Sequence, residues 1–114
     1  MSIIEQCLTS EQMEAEKEKI LGRLPHYERK LQALEKAARK GNVYLNSDVA
    51  WQYRGTMRTF RDSEKATGND LIFFAYVGSI EEYEKTIDKA YSEYLASLSP
   101  QEKLKVKILS LILF

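Results

Sequence analysis

Cysteine and histidine are nearly absent from this chain: among its 114 residues, Cys7 and His26 are the only ones of their kinds. One cysteine excludes an intramolecular disulfide, and one of each excludes the Cys/His zinc patterns and the two Glu-x-x-His pairs of di-iron bundles. Nothing in the spacing or the neighbouring residues supports Cys7 as a nucleophile with His26 as its base. The five glycines form no phosphate-cradling loop, and there is no nucleophile elbow or paired-acid motif. The expectation is a protein that is not an enzyme, with no catalytic residue, no cofactor and no metal site. No apolar run reaches the ~20 residues that span a bilayer. The N-terminus, MSIIEQCL, lacks a basic region and is interrupted by Glu5, unlike a signal peptide. A cytoplasmic location and no membrane contact are expected.

Net charge is also missing, with 17 basic and 17 acidic residues. The signs are nevertheless segregated: residues 23–65 carry ten basic and five acidic side chains, whereas 66–98 carry two and six. A protein that coats nucleic acid would be more basic, but a local anion site is compatible with this distribution.

What is present is the composition of a helical globule. Hydrophobic residues make up 44% and charged residues 30%, with only two prolines to interrupt helices. A chain of this length buries one core, so residues 1–114 are expected to be a single all-α domain, a compact bundle of about five helices. Capping boxes mark three helix starts, Thr9 with Gln12, Ser79 with Glu82, and Ser99 with Glu102, the last followed by Pro100 at a first-turn position. Ile20, Leu24, Tyr27, Leu31, Leu34 and Ala38 keep one helical phase through Pro25, which predicts a long first helix kinked near Pro25 and stopped at Gly41. Ser47 is expected to cap a helix over 48–67 with a buried stripe of Val49, Tyr53, Met57 and Phe60.

The run LIFFAYV, 71–77, reads as two turns of buried helix; a two-stranded sheet pairing 43–45 with 71–77 is the alternative. Ile80, Tyr83, Ile87, Tyr91, Tyr94 and Leu98 predict an amphipathic helix over 80–98, with Glu81, Glu84 and Asp88 off its apolar side.

The segment WQYRGTMRTFRD, 51–62, holds the candidate ligand site. Arg54, Arg58, Arg61 and Lys65 follow helical spacing beside the apolar stripe, and Trp51 and Gly55 flank the row. An indole can stack on a base while arginines fork phosphate oxygens, so Trp51, Arg54, Arg58, Arg61 and Lys65 would suit a nucleotide or nucleic acid. The competing reading is the margin of a core, with arginine stems over apolar surface and acids as partners. Glu11, Glu14 and Glu18 share a face of the first helix and are read as solvated rather than as a cation site.

The final helix, from Pro100, has almost no polar face beyond Lys107, so it is expected either to be central or to be covered by another chain. Tyr91, Tyr94, Leu109, Ile112 and Phe114 are the candidate interface of a homo-oligomer. The favoured function is a small interaction module (regulator, adaptor, chaperone or inhibitor) that binds a protein partner; the alternative is nucleotide or nucleic-acid binding through the Trp/Arg face.

Overall fold

The computed structural model describes residues 9–63 and 70–113, with the side chains of 70 and 110–113 excepted. Five α-helices make up the described residues, with no strand among them: α1 (Ser10–Leu21), α2 (Leu24–Arg39), α3 (Ser47–Asp62), α4 (Asp70–Ser97) and α5 (Pro100–Leu113). The all-α bundle expected from the sequence is the fold. Five elements were expected and five are found, but the chain is cut at different places.

The long first helix is two helices. Gly22 and Arg23 interrupt the hydrogen-bond ladder while both keep right-handed dihedrals, φ −64° and −80°. Restarting the ladder at Leu24 places Pro25 in the first turn of α2, where a missing N–H has no intrahelical acceptor to lose. Because the backbone never leaves the helical region, the apolar phase survives the break, and Ile20, Tyr27, Leu31 and Leu34 are all buried. At the far end of α2, Gly41 takes φ 94°, and the N–H groups of Gly41 and Asn42 donate to the carbonyls of Ala38 and Ala37. This is the Schellman closure that the glycine predicts.

In α1 the capping box forms as expected, Thr9 Oγ1 accepting from Gln12 N at 3.1 Å and Gln12 Oε1 from Thr9 N at 2.8 Å. Lys17 does more than neutralise its acidic neighbours, because its ammonium donates to the Ser63 carbonyl at 2.8 Å and lies over the Phe60 ring. A cation at the C-terminal end of α3 complements that helix's dipole and fastens α1 to it. The cap of α3 is Asn46, whose side chain accepts from Asp48 N at 2.9 Å, rather than Ser47, the first helical residue. The helix ends at Asp62, short of the expected 67; Lys65 and Gly68 lie outside the described residues.

The largest departure is α4, one helix of 28 residues where two were expected. Ser79 sits in its interior and caps nothing. Phe73, Val77, Ile80, Glu84 and Ile87 are buried at spacings of four and three, so the LIFFAYV run and the following amphipathic segment share a single stripe. The alternative pairing of 43–45 with 71–77 is excluded, since 71–77 are helical. At 1.5 Å per residue α4 is about 42 Å long, most of the molecule's 51 Å dimension. It packs along α2 and α3, α2 also meets α3, and α1 closes on α3. Between them lies the core, built on Leu31, Tyr53, Met57, Phe60, Ile80 and Ile87.

Candidate functional site

The α3 segment disperses the predicted ligand set. Tyr53, Met57 and Phe60 face the core, with Ala50 completing the stripe and Val49 half-buried at its edge. Trp51 points outward and is 77% exposed, above a shallow groove lined by Gly55, Thr59, Tyr76 and Tyr83. Arg54 turns the other way, toward α2. Its Nη1 and Nη2 donate to the two Glu35 oxygens at 2.8 Å each, and its Nε donates to Glu28 at 2.9 and 3.1 Å, with Nη2 also bonded to Glu28. Glu35 first, and then Glu28, hold the guanidinium far above its ordinary pKa, while the Arg54 bond holds the Glu35 carboxyl below its own. Arg61 pairs with Asp62 at 2.9 Å. Arg58 is exposed and forms no ion pair among the described residues, and it lines a cleft with Leu21, Leu24 and Met57. Lys65 lies outside the described residues.

Arg54 therefore serves as a clamp between α2 and α3, its fork matched to two carboxylates at once. Arg54→Met is expected to lower unfolding free energy by about 1–2 kcal/mol, discounted for partial exposure of the cluster, and to return the Glu35 pKa toward its ordinary value. Urea denaturation and a carboxyl-detected NMR titration measure the two effects. The sign follows from the depressed folded-state pKa: the Glu35 contribution is present above the unfolded-state value and is lost as pH falls through the folded one. An unchanged Glu35 titration in Arg54→Met would contradict the clamp.

The second constellation was not expected from the sequence. Glu84, placed among the solvated acids of α4 by pattern, is only 6% exposed. Its carboxylate accepts from Arg23 Nε at 3.1 Å, Arg23 Nη2 at 2.8 Å and the Tyr53 hydroxyl at 3.1 Å. One turn on, Asp88 accepts from the Tyr27 hydroxyl at 2.9 Å and from Lys30 Nζ at 2.6 Å. The Lys30 ammonium also lies 5.2 and 5.3 Å from the Tyr27 and Tyr91 ring centroids. Burial first, and then the neighbouring carboxylates, push both the Tyr27 and Tyr53 phenols above their usual range, so each is a fixed donor. Burial opposes charge on Arg23, but the Glu84 bonds outweigh it and raise its pKa. Arg23 at the N-cap of α2, Tyr27 and Lys30 on α2, Tyr53 on α3, and Glu84 and Asp88 on α4 thus make a polar seam that sets the register of three helices. The signal was legible in part, as an acid standing in phase with Ile80 and Ile87.

His26, exposed at the start of α2, packs edge-on against Tyr27; burial first, and then Lys30, lower its pKa. Cys7 lies outside the described residues. Among the described residues no three His, Cys, Asp or Glu side chains come together to hold a metal, and no helix is long and apolar enough to cross a membrane.

The chain's third site is its edge. Helix α5 is not central, as one expectation had it: Leu104, Ile108 and Leu109 are 57%, 46% and 56% exposed. It starts at the expected Ser99–Glu102 box, with bonds of 3.3 and 3.4 Å. Tyr91 and Tyr94, expected at the interface, are half-buried within the chain, their rings 5.7 Å apart and Tyr94 edge-on to Tyr44. Of the remaining interface candidates, the Ile112 side chain and Phe114 lie outside those described. Fold and sites together define an all-α bundle with a half-buried polar seam and an edge helix that exposes apolar side chains. No family model, no curated protein and no solved structure matches the chain.

Proposed function

We propose that this protein is a non-enzymatic helical interaction module that binds a protein partner through α5 and assembles with copies of itself. The observation that supports this reading is the exposure of Leu104, Ile108 and Leu109 on one helix whose neighbours in the bundle do not cover them. Leu104 and Ile108, at i and i+4, share one face as an apolar strip, with Leu109 about 100° further round the helix, and a strip of this kind is what a partner helix or a second copy buries. A reducing, cytoplasmic setting fits its single cysteine.

The test is molar mass in solution. The wild type at about 100 μM is expected to scatter as a multiple of 13.2 kDa, at a concentration where even a micromolar dimer is mostly assembled. Leu104→Glu/Ile108→Glu is expected to scatter as a monomer with an unchanged circular dichroism spectrum. A wild-type monomer at that concentration would remove self-association from the proposal, and a dimer that tolerates the double substitution would remove α5.

A second reading, nucleotide or nucleic-acid binding, retains support at one place, because Trp51 and Arg58 are both exposed on the outer side of α3 two turns apart. Arg54 and Arg61 already have carboxylate partners. This reading requires association with short RNA or a nucleotide that weakens steeply with salt and is lost in Arg58→Glu.

A further inference from the structure

Between the C-terminal half of α2, the end of α4 and α5 lies a cleft of about 630 Å³. The apolar part of its α2 wall is limited to the small side chains of Ala33 and Ala37, beside Lys36, and α5 contributes Val106 and Leu109 to the lining. Helices that meet through alanine on one side normally close until their backbones touch. Here they have not, and Leu109 remains more than half exposed beside the gap. The cleft is therefore left incompletely filled by the described residues, open to solvent above an apolar floor.

The lining is also charged on one side of the balance. Lys36 on α2, Lys40 at its C-cap and Lys105 on α5 contribute three ammonium groups, and none has an ion pair within 4.0 Å among the described residues. The one acid of the lining, Glu102, is already engaged by Ser99 in the α5 cap. Two further polar groups are spoken for: the Tyr44 hydroxyl donates to Ser97 Oγ at 2.7 Å, and Ser97 Oγ donates to the Tyr94 carbonyl.

We propose that this cleft binds an anionic amphiphile, a single aliphatic chain bearing a carboxylate, with the chain between α2 and α5 and the carboxylate among Lys36, Lys40 and Lys105. Size selects this occupant over a helix. An α-helix ~10–12 Å across with a 5.4 Å pitch occupies roughly 420–610 Å³ per turn, so the cleft holds little more than one turn. Its volume instead falls in the range of small-molecule sites, about 300–1,000 Å³. Charge selects the headgroup, since three ammonium groups stand in the lining against the single carboxylate of Glu102, which Ser99 and then Lys40 and Lys105 hold in its charged form, and a cationic chain would add to the excess. A polar nucleotide would leave Val106 and Leu109 against water. The site is separate from the outer strip of α5 at Leu104 and Ile108, and it does not depend on the interaction proposed there.

The experiment is calorimetric titration of the full chain with dodecanoate below its micelle concentration, beside dodecyltrimethylammonium and phosphatidylglycerol vesicles, with amide NMR shifts to locate binding. Dodecanoate is expected to bind saturably, one per chain, at least tenfold more tightly than the cationic chain, with shifts at Ala37, Leu98 and Val106. Two variants probe different halves of the site. Ala33→Phe fills the cleft without altering charge, and Lys36→Glu/Lys40→Glu reverses two exposed charges without touching the core. Each is expected to weaken binding tenfold or more with unchanged helix content. Absence of saturable binding, equal affinity for both headgroups, retention of full affinity in Ala33→Phe, or binding to the vesicles alone would each overturn the proposal.

Discussion

Ser79→Pro is expected to destabilise the protein by about 3 kcal/mol or more, the cost of proline in a helix interior. For a chain of this length that lowers the melting temperature by roughly 12 °C, from an unfolding entropy of about 2.1 cal/mol/K per residue. Ser79 lies ten residues into α4, so proline there removes an N–H that donates to the preceding turn and drives its ring against that turn's carbonyl. The adjacent Gly78→Ala provides the opposite sign. Gly78 is exposed with a non-positive φ, and an added Cβ meets nothing within 4 Å, so about 1 kcal/mol of stabilisation is expected from helix propensity. If 71–77 and 80–98 were separate helices joined at Gly78, as the capping pattern suggested, the proline would be nearly neutral and the alanine would not help. Thermal and urea denaturation of the two variants therefore discriminate one helix from two.

Glu84→Ala is expected to cost about 3 kcal/mol, at the lower end of what breaking a buried charge pair costs because the Arg23 side chain reaches solvent. The loss has two sources. The Arg23 guanidinium forfeits both bonds to the carboxylate, and the Tyr53 hydroxyl, on a fully buried residue, is left without its acceptor. Tyr53→Phe removes only the smaller part and is expected to cost about 1 kcal/mol. Glu84→Gln keeps an acceptor for Tyr53 but turns an amide toward the guanidinium, which places it between the two. Chemical denaturation of the three variants gives the order directly. A Glu84→Ala protein within about 0.5 kcal/mol of wild type, the range of ordinary surface substitutions, would mean that water replaces the carboxylate and that the seam does not hold the helices.

Much of the fold was readable because its determinants are local. A Ser or Thr three residues before Gln or Glu, or a glycine after the last apolar residue, acts within one turn, and Thr9, Ser99 and Gly41 all behave accordingly. Ser79 has the same local signature and fails, because the stripe of Phe73, Val77, Ile80 and Ile87 continues through it and burial along 28 residues outweighs one cap. The partners of Arg54, and those of Glu84 beyond its phase with Ile80 and Ile87, were illegible for a different reason. Helical spacing states which residues share a face, and in Arg54, Arg58 and Arg61 it identified the row correctly, but the acids that neutralise Arg54 stand on α2 and their approach depends on how the helices pack. The exposed strip of α5 lies between these cases: its apolarity was plain, whereas its position at the edge is a property of the assembled bundle.

The seam's bonds from Arg23 to Glu84 and from Tyr27 to Asp88 each join residues 61 apart in sequence. That separation has a consequence for the nascent chain. When α3 leaves the ribosome, Leu31, Tyr53, Met57 and Phe60 are outside while α4, which covers them, is still inside the exit tunnel. At about 5–20 residues per second, the thirty or so residues that must be added before Glu84 and Asp88 follow α3 out of the tunnel take roughly 2–6 s. Over that interval the half-built bundle displays an apolar face with no covering helix. The protein's passage to its native state is thus gated by emergence of one helix, and a rare-codon pause while α4 is still in the tunnel would lengthen exposure to aggregation, whereas a pause before α4 is translated, with α3 itself still inside, would not.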